Sequence, residues 1–145
     1  MIVLDANVLS ELTKPAPAEM VLDWFKMQPR PSLFITSVTQ AEMLLEIELL
    51  PKGKRRSAIQ LALEGLFDDF AGRILSFDSE AAHQYAVIAA CLRALGRPFK
   101  IGDAQTAGIV RANGAILATR DTGDFEHCGI TVLNPWTFSP GKVRR

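Results

Sequence analysis

Short apolar runs alternate along the chain with longer stretches in which apolar residues recur at helical spacing. The runs predict five strands, at residues 2–4, 33–35, 73–77, 115–118 and 131–133. Several of these runs are apolar at successive positions, which is typical of strands buried on both faces. The stretches between them predict six helices, at residues 7–13, 18–27, 38–50, 57–70, 80–95 and 102–113.

Alternating strands and helices favour a parallel sheet with right-handed crossovers. We therefore predict an α/β fold, with a single domain built on a central five-stranded parallel sheet that helices flank on both faces. Local signals mark the helix boundaries. Ser37 followed by Gln40 predicts a capping box, Asp78 predicts a helix N-cap, and Gly96 predicts a helix end.

Length and charge narrow the class of protein. A chain of 145 residues suits one domain with one core. We expect this domain to span residues 1–138 and residues 139–145 to form a flexible basic tail. Sixteen Lys and Arg residues balance sixteen Asp and Glu residues, so only local patches can attract a polyanion. Because no apolar run reaches about 18 residues and no signal-peptide pattern is present, we expect a cytoplasmic protein without membrane association.

Acidic residues stand where the predicted strands end. Asp5 directly follows the first strand in MIVLDANVLSEL, and Asp121 follows the fourth in ILATRDTGDFE. Glu42 lies in the second turn of the helix after the second strand, and Asp103 opens the helix that leads to the fourth. In an open parallel sheet the ligand crevice lies beyond the carboxyl ends of the strands, where the strand order reverses. We therefore expect these four carboxylates to meet over one crevice.

Four carboxylates in one crevice repel one another, and like charges within about 4–6 Å raise each other's pKa. A divalent cation removes this conflict. Oxygen-only ligands, without a set of Cys or His residues, favour Mg²⁺ or Mn²⁺ over zinc. Such an ion retains bound waters and suits the hydrolysis of phosphate esters by an activated water.

Four segments of the chain resemble the PIN-domain ribonucleases, particularly the VapC-type toxins and their FitB-like relatives. They are MIVLDANVLSEL, TSVTQAE, IGDAQTAGIV and ATRDTGDFE followed by GITVLNPW, and the resemblance covers residues 1 to about 138. It implies that the catalytic and metal-binding acids are Asp5, Glu42, Asp103 and Asp121. It also implies that Thr119 lies close to the metal and that Asp124 is an additional acidic ligand.

The resemblance further implies an activity and a set of partners. The expected activity is that of an endoribonuclease that depends on Mg²⁺ or Mn²⁺. The expected partners are the RNA substrate, a second copy of the chain in a homodimer, and a cognate VapB-type antitoxin whose C-terminal segment covers the active site. Operator DNA is expected to bind only through the antitoxin.

Most of these residues also have a structural interpretation. Asp5, Asp103 and Asp121 each stand near a helix start, where Asp is a favoured N-cap. Glu42 taken alone is typical of a solvated helix face, and Asp124 is as typical of a turn as of a metal ligand. Other residues stay open: Asn7 either bonds Asp5 or simply begins its helix, Arg120 is a candidate contact for substrate phosphate, and the basic stretch 52–56 is either a solvated loop or an RNA contact.

Two other functions are consistent with acids placed after the strands of a parallel sheet. In a haloacid-dehalogenase-like phosphatase Asp5 would be the nucleophile, but that class has a second acid two positions later, where this chain has Asn7. A non-catalytic scaffold would retain the fold alone. Four retained acids argue against a scaffold, because without a function their repulsion is only a cost.

Overall fold

Five parallel strands form one sheet in the order β3-β2-β1-β4-β5. The structure, a computed structural model, describes residues 1–139. The strands are β1 (Ile2–Leu4), β2 (Leu33–Thr36), β3 (Ile74–Leu75), β4 (Ile116–Ala118) and β5 (Thr131–Leu133). This confirms the predicted central five-stranded parallel sheet. The predicted flexible tail lies, apart from Ser139, outside the described residues.

Six α-helices connect and cover the strands. They are α1 (Ala6–Leu12), α2 (Glu19–Met27), α3 (Ser37–Glu48), α4 (Lys54–Asp69), α5 (Ser79–Ala94) and α6 (Ile101–Ala112). The described residues also form three short 3-10 turns, at Arg30–Ser32, Thr122–Phe125 and Pro135–Thr137. None of the helices within residues 1–139 is both long enough and apolar enough to cross a membrane.

The strand order reverses beside the central strand. From β1 the chain adds β2 and then β3 on one side, and it then crosses back to place β4 on the other side of β1. Leu4 is paired with Ala118, and the next backbone N–H, that of Asp5, donates to the carbonyl oxygen of Ala118 at 3.0 Å. The residues after β1 and β4 therefore lie side by side at the point where ligands bind in such sheets.

Each face of the sheet carries its own apolar core. Leu4 and Leu33 pack with α1 to α4 on one face, whereas Val3 and Leu117 pack with α5 and α6 on the other. Neighbouring strand residues point to opposite faces, and both faces are covered. This explains why the short strands are apolar at successive positions.

Helices α5 and α6 approach each other closely because of a glycine. A Cβ atom added at Gly108 would lie 2.8 Å from the carbonyl oxygen of Ala81 and 3.0 Å from the backbone nitrogen of Tyr85. A larger side chain at this position would force the helices apart. Gly108 therefore determines how tightly α6, which carries Asp103, is held against α5.

The structure corrects two predicted helix starts. Thr36 rather than Ser37 caps α3, because its Oγ1 accepts from the backbone N–H of Thr39 at 3.0 Å. Helix α4 begins at Lys54, not at residue 57, so part of the basic stretch forms its first turn. There the Arg56 guanidinium pairs with Glu48 at 3.2 Å. The capping prediction for Asp78 is confirmed, since its Oδ1 accepts from the backbone N–H of Ala81 at 3.0 Å.

Candidate active site

Asp5 is a buried carboxylate held by two neighbouring groups. It is only 8% exposed and is the N-cap residue of α1, with its Oδ1 accepting from the backbone N–H of Ala6 at 3.0 Å. Its Oδ2 accepts a hydrogen bond from the hydroxyl of Thr119 at 2.8 Å. Thr119 is itself fully buried at the end of β4. Asp5 therefore caps α1 with one carboxylate oxygen and bonds Thr119 with the other. The capping role that the sequence suggested does not exclude Asp5 from the candidate site.

Asn7 joins α1 to the loop after β4. Its side-chain amide donates to Thr119 Oγ1 at 3.1 Å and to Asp121 Oδ2 at 3.2 Å. Its carbonyl oxygen accepts from the backbone N–H of Arg120 at 3.2 Å. Asn7 thus bonds Thr119 and Asp121 rather than Asp5, and it also begins its helix. The sequence offered no signal for this, because the partners lie more than one hundred positions away.

A cavity of about 420 Å³ opens over the carboxyl ends of β1 and β4. We call it the carboxylate cavity, because five of its lining residues are acids predicted from the sequence, namely Asp5, Glu42, Asp103, Asp121 and Asp124. The start of α6 approaches the second turn of α3 beside it: a Cβ added at Gly102 would lie 3.7 Å from Glu42 Oε2. Separated segments thus bring all five acids to one place, with Thr119 behind Asp5.

Burial and neighbouring negative charges raise the pKa of three acids in the carboxylate cavity. Burial raises the pKa of Asp5, although the hydrogen bonds from Thr119 and Ala6 oppose this rise. Burial also raises the pKa of Glu42, and the charges of Asp5 and Asp103 add to it. The pKa of Asp103 rises to about 6 through burial first and through the charges of Asp5 and Asp124 next. Without a bound cation, keeping these carboxyl groups ionised and close together therefore costs free energy.

The donor atoms fit a hard divalent cation. All five acids offer carboxylate oxygens, which suit Mg²⁺ and Mn²⁺. Within residues 1–139, however, no three Asp, Glu, His or Cys side chains lie close enough together to form a metal-binding group.

Positive and aromatic groups complete the rim of the carboxylate cavity. Lys14, Lys100, Arg120 and Trp136 also line it. The guanidinium of Arg120 stacks on the Trp136 ring, 5.0 Å from the ring centroid. The charge of Lys100 offsets part of the rise in the pKa of Glu42 and Asp103. Sequence reasoning missed Lys100, although its place directly before the helix of Asp103 was an available signal.

The PIN domain family matches residues 2–129. The chain belongs to the PIN domain family. This PIN domain is 44% identical, over 94% of its length and 99% of the relative's, to the plasmid stability protein StbB of Pseudomonas syringae pv. tomato. It is 40% identical to the VapC ribonuclease Y4jK of Sinorhizobium fredii, over 94% of its own length and 98% of that relative's.

The same family relationship holds at the level of structure. A solved structure of FitAB bound to an IR36 DNA fragment matches this PIN domain with a TM-score of 0.89 and 35% identity, over 96% of the chain and 98% of the matched chain. The resemblance to VapC-type and FitB-like proteins is therefore confirmed.

Proposed function

We propose that this PIN domain is an endoribonuclease that hydrolyses RNA phosphodiesters with Mg²⁺ or Mn²⁺, and that it is the toxin of a toxin–antitoxin pair. The observation that carries the proposal is the convergence of five carboxylates, from four separate segments of the chain, on one cavity. A relative 40% identical to the chain is named a VapC ribonuclease, which agrees in reaction class.

Four acids would hold the cation in this proposal, namely Asp5, Glu42, Asp103 and Asp121, with Asp124 as an additional ligand. A bound divalent cation supplies positive charge that stabilises the transition state of phosphodiester hydrolysis. Thr119 acts as a positioning residue, because its hydroxyl donates to Asp5 and its Oγ1 accepts from the Asp121 backbone N–H at 3.1 Å. Asn7 holds the Asp121 side chain from the other strand end.

Arg120 is the proposed contact for the substrate phosphate. Arg120 lines the carboxylate cavity, and none of the ion pairs formed within residues 1–139 involves it. Stacking on Trp136 limits the motion of the guanidinium. Arginine binds phosphate through two parallel N–H donors, which suits this place beside the acids.

Cleavage of RNA by the purified full chain tests the proposal. We expect cleavage of a labelled structured RNA with Mg²⁺, no cleavage with EDTA, and products that carry a 5′-phosphate. Asp5→Asn should abolish cleavage and retain the fold. Asp78→Asn is the matched control, because Asp78 also follows a strand but caps α5 outside the carboxylate cavity. Equal cleavage by wild type and Asp5→Asn would contradict the proposal.

Thermal unfolding provides a second readout that does not depend on activity. Mg²⁺ that binds only the folded chain raises its stability by mass action, by about 2.7 kcal/mol at one hundred times the dissociation constant. We expect a smaller rise for Asp5→Asn than for Asp78→Asn. Equal rises would place the ion elsewhere.

The two alternative functions predict different results. A phosphatase with Asp5 as nucleophile would form a covalent phospho-aspartate, whereas membership of the PIN family and the amide of Asn7 in place of a second acid both disfavour this chemistry. A scaffold would show neither cleavage nor a Mg²⁺-dependent rise in melting temperature.

We also propose that an antitoxin binds next to the active site and that the chain forms a homodimer. An apolar groove of about 320 Å³ between α1, α3 and α4 includes Met43, Ile47 and Leu63 and shares Ser10 and Glu46 with the carboxylate cavity. A partner in this groove would therefore also reach the acids. In the proposal, operator DNA binds only through the antitoxin; the matched FitAB structure contains DNA.

A further inference from the structure

A second cavity of about 320 Å³ adjoins the carboxylate cavity and shares Lys100, Asp103 and Asp124 with it. We call it the Phe99 cavity. We propose that it binds one unpaired nucleotide of the RNA next to the scissile phosphate, with the base on the Phe99 ring and the phosphate on Lys100. The inference rests on the proposed ribonuclease function and names a subsite for its substrate.

The interior of the Phe99 cavity suits a nucleobase. Leu92, Pro98 and Phe99 supply its apolar surface. The other lining residues are Gly123 and the charged Arg97, Lys100, Asp103, Asp124 and Glu126. Phe99 is half-buried and packs against the core beneath α5 and α6, so its ring is held in place. Bases stack on such aromatic rings with little dependence on their identity, and each stacked base contributes roughly a tenfold or greater gain in affinity. The volume is within the range of about 300–1,000 Å³ that holds small ligands.

Lys100 stands at the junction of the two cavities. It precedes α6, and no ion pair formed within the described part of the chain involves it. Its ammonium group acts on Glu42 and Asp103 only through its charge. A phosphate at Lys100 would therefore connect a base in the Phe99 cavity to the phosphodiester over the acids.

Arg97 connects two segments of the chain that line the Phe99 cavity. Its guanidinium lies 3.4 Å from the Glu126 carboxylate and donates to the carbonyl oxygen of Gly123 at 3.4 Å. These contacts connect the segment before α6 to the turn after β4. A base can reach the Phe99 ring only from an unpaired, splayed nucleotide, because the bases of a duplex are paired and stacked inside.

Binding of RNA by the full-length Asp5→Asn variant with Mg²⁺ tests the subsite without cleavage. The probe is a fluorescein-labelled single-stranded RNA of mixed sequence, followed by anisotropy at several salt concentrations. In this background Phe99→Leu should weaken binding roughly tenfold and leave the salt slope unchanged, because stacking is lost but charge is not. Lys100→Gln should lower the salt slope by about one.

Matched controls separate the subsite from general effects. Phe25→Leu replaces a half-buried phenylalanine and Lys26→Gln an exposed lysine, both on α2 outside the two cavities. We expect neither control to change affinity more than twofold, and we expect Phe99→Leu to have no effect on binding of a blunt RNA duplex. Equal weakening of duplex and single strand would mark Phe99 as structural and overturn the subsite.

The outcome also distinguishes this inference from the proposed function. If the wild-type chain cleaves RNA with Mg²⁺ while Phe99→Leu binds and cleaves like wild type, the ribonuclease assignment stands and the subsite is wrong. If Phe99→Leu weakens binding but the wild-type chain never cleaves, the subsite stands as an RNA-binding site and the ribonuclease assignment is wrong.

Discussion

Replacing Asp103 by Asn should stabilise the protein when no divalent cation is present. The pKa of this carboxyl rises from 3.8 to about 6 in the folded chain. At about 1.36 kcal/mol per pKa unit, this shift corresponds to roughly 3 kcal/mol. Asp103 is only half-buried, so screening by water reduces the cost of its charge to roughly 1–1.5 kcal/mol. The substitution also removes the favourable interaction of the Asp103 charge with the N-terminus of α6. This loss reduces the gain in stability by about 0.3 kcal/mol or more.

The sign of the effect follows from the two protonation states. Because the folded pKa lies above the unfolded one, the unfolded chain releases the proton of Asp103 first as the pH rises. Stability is therefore lost between about pH 4 and pH 6, and the loss is complete above the folded pKa. The amide that replaces this carboxyl in the variant does not titrate. The variant should thus exceed the wild type by about 1 kcal/mol near pH 7.5 and by much less near pH 4.

Urea unfolding in EDTA at these two pH values measures the difference, which corresponds to roughly 2–4 °C in melting temperature for a chain of this size. Asp78→Asn is the control, because Asn is as good an N-cap as Asp and α5 should begin as before. Two results would refute the reasoning: an Asp103→Asn variant no more stable than wild type near neutral pH, or an equal gain at both pH values. Saturating Mg²⁺ should reduce or reverse the gain, since the ion offsets the repulsion.

Two further substitutions probe the support of the site. Thr119→Val keeps the shape of the side chain but removes the hydroxyl that bonds Asp5 and Asn7. Urea unfolding should therefore show a loss of about 1–3 kcal/mol in the free energy of unfolding. A variant as stable as wild type would mean that these bonds do not support the fold. Gly108→Ala places a methyl group 2.8 Å from a backbone oxygen and should cost about 1–3 kcal/mol. The control is Gly65→Ala in α4, where an added Cβ meets nothing within 4 Å. This substitution should instead stabilise the protein by about 0.5–1 kcal/mol. Equal effects of the two substitutions would contradict the close approach of α5 and α6.

The sequence was sufficient to predict the fold and the place of Asp5 and Asp121 at one edge of the sheet. Apolar runs of three or four residues, separated by helical patterns, determine a parallel sheet because strands covered on both faces need no polar positions. An acid placed directly after such a strand, as Asp5 is, must lie at the carboxyl edge of the sheet. The position of Asp121 followed by the same reasoning.

Only the tertiary structure decided how these groups interact. It made Thr36 the cap of α3, whereas the hydroxyl of Ser37 accepts a hydrogen bond from the backbone N–H of Phe77 at 3.3 Å. It placed Asn7 between Thr119 and Asp121 and brought Lys100 to the junction of two cavities. The pattern of a sequence reports the local period and the burial of each segment. Contacts between side chains from distant segments depend on the packing of the whole sheet and its helices, which no local pattern contains.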